Sequence, residues 1–309
     1  MLKKMNMIIP NTLSAHEQPV SETLLGPLRN SADSIENATE LNRRLLDDGY
    51  LFLRGALDRD RVMEARAVVL SRLASVGEIE EPFLEGISTG TSRRGEVVDD
   101  LGAFWQRLCE CPEVRDVSHS GAIVSIMRDL FDSDIRAFDF LWMRTMHPGR
   151  ASAYHFDHVY MNRGSERLLT VWTPLGDVGL DDGPLALVEG SHLWEDMISE
   201  YRGFDVDKDK TRQGHITLDP VSLVRERDSR LLTAEFRAGD VVIFPMFMLH
   251  GSLDNRSPAG RVRLSVDTRF QPAGEPIDAR WVGRNPVGHG GGYGAMGGAQ
   301  PATSNPLFR

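Results

Sequence analysis

The sequence predicts an α+β fold, mainly β in its second half, with helices gathered on the N-terminal side. Two observations carry this reading. Helical periodicity dominates up to about residue 131, and short strand-like runs broken by Gly, Pro and Asp dominate from Ile135 onward. Helices that precede the strands, instead of alternating with them, argue for an antiparallel core flanked by helices and against a βαβ sheet.

Residues 1–37 are polar, contain Pro10, Pro19 and Pro27, and show no period, so they are expected to form an arm, partly disordered. From Thr39 to Asp48, Leu41, Leu45 and Leu46 mark one face of a short helix that Gly49 ends. Tyr50-Leu51-Phe52-Leu53-Arg54-Gly55 reads as a buried strand. Asp58 is placed to cap a helix with an apolar stripe of Val62, Val69, Leu73 and Val76. Residues 78–99 read as a surface loop, and helices follow around 100–109 and 112–131, the second opened by Pro112. Strands are expected over 135–146, 152–160, 167–174, 184–189, 231–236, 240–244 and 261–270. A charged insert, 195–230, interrupts them and is expected to be lid-like. Residues 285–309 form a Gly-rich tail expected to be flexible, which leaves 38–284 as a single domain.

The 309 residues are 41% hydrophobic, enough for a sizeable core, and carry a formal charge of -10. That balance disfavours nucleic acid or an anionic membrane as partner. Cys109 and Cys111 lie too close together for an ordinary structural bridge and read as reduced thiols of a cytoplasmic protein. No secretory signal or membrane span is expected, because Asn6 and Pro10 break the apolar run after Lys3 and Lys4.

In a strand, His155 and Asp157 project to one face while Phe156 points away. An imidazole and a carboxylate at that spacing can grip one metal ion. His250, arriving from another strand, completes two histidines and one carboxylate with the opposite side of the metal open, a set that suits non-heme Fe(II). Seven or eight short strands around such an internal site fit a jelly roll, the double-stranded β-helix of cupin-like proteins. His158 points to the other face, His192 is placed to hold a turn, and His119, His147, His215 and His289 have no partners at metal spacing.

Several motifs, in order and spacing, resemble the phytanoyl-CoA dioxygenase family of Fe(II)- and 2-oxoglutarate-dependent oxygenases. They are His155-Phe156-Asp157, Trp172-Thr173-Pro174-Leu175, Asp182-Gly183-Pro184-Leu185, Gly190-Ser191-His192, Gly239-Asp240-Val241-Val242-Ile243-Phe244, His250-Gly251-Ser252 and Arg263-Leu264-Ser265. The run Gly49-Tyr50-Leu51-Phe52-Leu53-Arg54 and the strand Arg263–Arg269 look especially like bacterial hydroxylases of terpenoid acids of the pentalenolactone type. The ectoine hydroxylase signature around His-x-Asp is absent.

The resemblance implies Fe(II) held by His155, Asp157 and His250, with 2-oxoglutarate and O2 as co-substrates. It also implies hydroxylation of an unactivated C–H bond of a small, mainly apolar metabolite. The far carboxylate of 2-oxoglutarate needs a fixed, bidentate cation, which arginine supplies better than lysine. Arg261, Arg263 and Arg269 share strand parity, so direction alone does not separate them. The resemblance favours Arg263, followed at plus two by Ser265, while Arg269 lies beyond the co-substrate's reach. Ser252 and Trp172 match co-substrate neighbours in the family, and Arg144 is a candidate for co-substrate or substrate contact, or for a structural ion pair. Asp157 argues against halogenation, because related halogenases carry a small residue there. Tyr154, Tyr160, Trp142, Met143, Met246 and Phe247 are candidates for the substrate wall, with Arg202 for a substrate carboxylate. Two other readings stay open: a non-catalytic cupin-like binding protein, which Arg263 and the open metal site speak against, and a peptide or protein hydroxylase.

Overall fold

The computed structural model describes residues 13–119 and 121–288. In chain order its strands are β1 (Ser14–Ala15), β2 (Gln18–Pro19), β3 (Leu25–Pro27), β4 (Leu51–Leu53), β5 (Ile135–Ala137), β6 (Trp142–Met146), β7 (Leu169–Pro174), β8 (Leu185–Val188), β9 (Leu231–Thr233), β10 (Val241–Pro245), β11 (His250–Ser252) and β12 (Arg263–Pro272). The helices are α1 (Ala38–Asp48), α2 (Arg59–Ser75), α3 (Arg94–Val97), α4 (Leu101–Cys109), α5 (Pro112–His119), α6 (Gly121–Phe131), α7 (Glu195–Tyr201) and α8 (Pro220–Glu226). Asp58 caps α2 as expected, its carboxylate accepting from the N–H groups of Asp60 and Arg61.

The strands form two sheets, one in the order β4-β10-β7-β12-β5 with β6 also on β12, the other in the order β11-β8-β9-β3. All pairs in them are antiparallel except β3 with β9. The continuous apolar run of β10 belongs to a strand buried on both faces. Val242 and Phe244 point into the space between the sheets, where they meet Trp172, Leu185, Leu187 and Phe236. Val241 and Ile243 point outward, against Leu41 of α1 and Ile126, Met127 and Leu130 of α6. On β12 the outward residues Leu264 and Val266 pack with Val69 of α2 and Trp105 of α4. Helices therefore cover the outer face of the large sheet, and its inner face is left for the small sheet and the site.

Four expectations are corrected. Residues 13–37 are not a loose arm: β3 joins the small sheet beside β9, and Leu13, Ala15, Val20, Leu25 and Leu28 are buried. Their apolar residues are too sparse for a period, and contact with the sheet orders them. The helix expected over 112–131 is two, because Gly121 takes φ +56, a left-handed conformation that a helix cannot continue through. Residues 152–160 form no regular strand. They make single bridges at Tyr154 and His155, then turn into a 3-10 segment at Asp157–Val159. Within 78–99 a short 3-10 turn and α3 break the expected loop. The described part of the tail ends at residue 288, and residues 1–12 and 289–309, with His289, lie outside the described residues.

The insert packs down. Met197 and Ile198 of α7, with Val221 and Val224 of α8, join Ala186, Val188 and Leu231 on the outer face of the small sheet. No described helix is long and apolar enough to cross a membrane, and Cys109 and Cys111 are both free thiols.

Gly49 joins this frame at a point where only glycine fits. It takes φ +77 after α1, and a Cβ there would lie 2.3 Å from the His192 ring, whose Nε2 hydrogen-bonds to the Leu46 carbonyl. Gly49→Ala should destabilise the protein by more than the ~1–2 kcal/mol of left-handed backbone alone. Gly55→Ala, at φ +62 with nothing within 4 Å of the new methyl, should show only the backbone cost. Denaturant midpoints of the two variants test this, and equal losses would discount the His192 contact.

Candidate metal centre

Two histidines meet because their backbones do. His155 N–H donates to the His250 carbonyl at 3.0 Å and His250 N–H to the His155 carbonyl at 3.2 Å, so the two residues stand directly opposite each other. Their ring centroids are 4.3 Å apart. Asp157, two residues on, opens the 3-10 turn and swings its carboxylate to the same side. Its Oδ1 lies 3.7 Å from His155 Nε2 and 3.9 Å from His250 Nε2. Nitrogen and oxygen ligand atoms of the three residues all lie within 4.8 Å of one another.

Each imidazole is held in one tautomer. His155 Nδ1 donates to the Ala153 carbonyl at 2.8 Å, and His250 Nδ1 to the Met248 carbonyl at 2.9 Å. Both Nε2 lone pairs are thereby presented to the same point, the usual arrangement of metal-ligating histidines. Burial, reinforced by the neighbouring His155, pushes His250 down to about 3, so it is a neutral donor at physiological pH. Burial opposes ionisation of Asp157, but Arg269, with His155 and His250 behind it, holds its carboxyl well below the usual range. Two imidazoles and one carboxylate on one side of a cavity form a donor set that fits Fe(II) with open positions.

The cavity beside these ligands is lined by Arg144, Ser152, Trp172, Leu185, Phe244, Gly251, Arg263 and Asp267. Arg263 is 3% exposed; its Nε donates to the Gly183 carbonyl and its Nη1 to Ser265 Oγ at 2.7 Å. No carboxylate among the described residues pairs with it, and burial lowers it to about 10. Asp267, in the same cavity, offsets this only at a distance, and a buried guanidinium that makes no direct ion pair favours an anionic ligand. Arg261, just after the Pro258–Gly260 turn, is exposed.

The other expected residues divide. Trp172 lines the cavity, with the Arg263 guanidinium 5.9 Å from its ring centroid. Arg144 also lines it and forms an ion pair with Asp267 at 2.9 Å. Ser252 is buried, and its Oγ accepts the Ser152 N–H at 2.7 Å, one step from the cavity wall. Tyr160 meets the His155 ring edge-on at 5.6 Å. Tyr154, Met143 and Met246 are core residues, and Trp142 packs on Phe140 and Trp281. Arg202 is half exposed, pairs with Glu166 and lies over the Phe247 ring, so it does not face the cavity's lining.

His158 is no ligand: its Nε2 accepts the Gly203 N–H, its ring stacks on Phe247, and burial pushes it to about 4. It is one of several ties from the insert to the segment that carries His155 and Asp157. Others are Asn162 to the Phe204 carbonyl, Arg163 to Asp205, and Ile216 N–H to the Tyr154 carbonyl. His192 bonds across to α1 instead of within its own turn, and His147 meets Ser88 and Glu78 in a buried cluster.

Three residues around the ligands were not singled out from the sequence: Thr170, Asp267 and a role for Arg269. Arg269 Nη2 lies 3.0 Å from both oxygens of Asp157, and Thr170 Oγ1 donates to Oδ2 at 2.5 Å. The available signal was parity, because Arg263, Ser265, Asp267 and Arg269 alternate with Leu264, Val266 and Thr268 along one buried strand.

Replacing His155 or His250 by alanine should abolish stoichiometric iron, read by metal analysis after anaerobic loading and desalting. Arg202→Ala should leave loading intact. Full iron in either histidine variant would overturn the assignment.

The sequence model of the phytanoyl-CoA dioxygenase family matches residues 45–263, well over half of the chain. The 1-deoxypentalenic acid 11-beta-hydroxylase of Streptomyces exfoliatus is 27% identical over 248 residues, covering 77% of this chain and 83% of that protein. Its namesake from Streptomyces arenae is 26% identical over the same span. Among solved structures, the non-heme alpha-ketoglutarate-dependent carbocyclase SnoK from nogalamycin biosynthesis superposes with a TM-score of 0.53 at 23% identity, covering 82% of this chain and 89% of SnoK. Apo EctD from S. alaskensis superposes with a TM-score of 0.54 at 16% identity, covering 90% of each chain. At these identities the two likenesses speak to the fold. The extent of the family match decides the assignment: the chain belongs to the phytanoyl-CoA dioxygenase family and is an oxidoreductase.

Proposed function

We propose that this enzyme is an Fe(II)- and 2-oxoglutarate-dependent hydroxylase of a small, mainly apolar metabolite that carries a carboxylate. The observation that carries this reading is Arg263, a buried guanidinium with no ion-paired carboxylate among the described residues, lining the same cavity as His155 and His250. The two facing sheets are read as the double-stranded β-helix common to such enzymes, with His155, Asp157 and His250 as the iron ligands.

When bound, iron and 2-oxoglutarate supply the oxidation, with succinate and carbon dioxide as co-products and an alcohol as product. The chain's own residues bind and orient. Arg263, steadied by Gly183 and Ser265, receives the far carboxylate of 2-oxoglutarate as a planar fork. Trp172, Leu185 and Phe244 form an apolar wall that excludes water around it. Arg144 engages Asp267 through Nε and Nη2, which leaves Nη1 for a substrate carboxylate. That choice accords with the acid named as substrate of the Streptomyces relatives. The insert, tied along the metal-bearing segment through Gly203, Phe204 and Ile216, serves as the cover.

Anaerobic addition of Fe(II) and 2-oxoglutarate should produce a visible charge-transfer band, and oxygen should then yield succinate. No band and no succinate would overturn the reading. Arg263→Lys keeps the charge but loses the fork, so it should raise the 2-oxoglutarate KM by about tenfold, the scale of one charge-assisted hydrogen bond, with iron content unchanged. Arg261→Lys should do little, and the reverse pattern would mean that the strand register is wrong for this role. Hydrogen exchange over 195–230 should slow on adding iron, 2-oxoglutarate and substrate; unchanged exchange would remove the covering role.

A further inference from the structure

We propose that Arg269 and Thr170 clamp the outer oxygen of Asp157 and so hold this carboxylate to ligation of the metal through one oxygen. The inference rests on the iron-site reading above and assigns positioning residues to it. Oδ2 of Asp157 takes two donors, Thr170 Oγ1 at 2.5 Å and Arg269 Nη2 at 3.0 Å. Oδ1 shares Arg269 Nη2 at 3.0 Å and is the oxygen that faces both imidazoles. Oδ1, with one donor, is thus turned to the imidazoles, and Oδ2, with two, is the more firmly anchored in the protein.

The anchor is itself fixed. The Arg269 side chain is 1% exposed, and its guanidinium lies 4.0 Å from the centroid of the Trp142 ring. Its Nη1 is 3.9 Å from Asp267, which also holds Arg144. Arg269 Nε and Nη1 have no hydrogen-bond partner among the described residues, so the bonds to Asp157 are the specific ones this buried cation makes. Register on the large sheet explains the meeting: Arg269 stands opposite Thr170, and both point to the inner face.

Denticity decides what else can bind. In a six-coordinate site, two imidazoles and one carboxylate oxygen leave room for a chelating keto acid and for oxygen. A carboxylate that swung to bind through both oxygens would occupy one of those positions. The clamp therefore acts on co-substrate binding more than on iron binding, which a merely structural ion pair would not do.

Arg269→Gln and Thr170→Val apoproteins, checked for native fold by near-ultraviolet circular dichroism, would be titrated anaerobically with Fe(II) and then with 2-oxoglutarate. Both variants should take up stoichiometric iron. The charge-transfer band should then require more 2-oxoglutarate, by about 10- to 100-fold in Arg269→Gln, the range for partners of metal ligands, and by less in Thr170→Val. Wild-type-like titrations, or loss of iron itself from a folded variant, would overturn the proposal. Where Arg269→Gln does not fold, Thr170→Val alone decides by the same two criteria. A wild-type protein that binds no iron would overturn the site reading and this inference together, whereas wild-type-like variants would overturn this inference alone.

Discussion

The site depends on one buried charge. Asp157 is 1% exposed, and a carboxylate removed from water to that degree stays ionised only when cations and donors replace the lost solvation. Arg269 and Thr170 provide that replacement from one sheet, while His155 and His250 approach from the other side. The protein thereby fixes an anion beside two imidazoles, in a group that could hold a metal ion. The two imidazoles are fixed independently through Nδ1 bonds to backbone carbonyls, so the ligand set does not rely on the metal to assemble it.

One strand supplies most of the polar chemistry. β12 runs for ten residues and pairs with β7, β6 and β5, so its alternation is locked on both edges. Its outward residues complete the helix-covered core, and its inward residues form a row of Arg263, Ser265, Asp267 and Arg269. Arg263 and Arg269, six residues apart, are separated by about 20 Å of extended chain. That distance lets two identical side chains do different work. Arg263 makes no ion pair with a carboxylate among the described residues, and Arg269 is committed to Asp157. The Arg144–Asp267 pair sits between them.

The small sheet needed cover on its outer face, and two segments with weak sequence patterns supply it. The β1–β3 region brings Leu13, Val20 and Leu25, and the insert brings Met197, Ile198, Val221 and Val224. Because the insert also bonds to residues 154–163, a movement of it is mechanically coupled to the segment that carries His155 and Asp157.

Local pattern was enough for the helices α1, α2 and α4, the core strands, and the three residues His155, Asp157 and His250, because hydrophobic period and ligand spacing are properties of short stretches. The exposure of Arg261 and the burial of Arg263 were also legible, since the turn at Pro258–Gly260 leaves Arg261 at the mouth. What sequence could not show were contacts between distant segments. Residues 13–37 look like an arm until β9 is placed beside them, and 152–160 look like a strand until Asp157 turns toward Arg269. Arg269 itself reads as one more charged residue on a strand. Only the pairing of β12 with β7 brings it to Thr170 and Asp157, 112 residues away along the chain, and makes it part of the site.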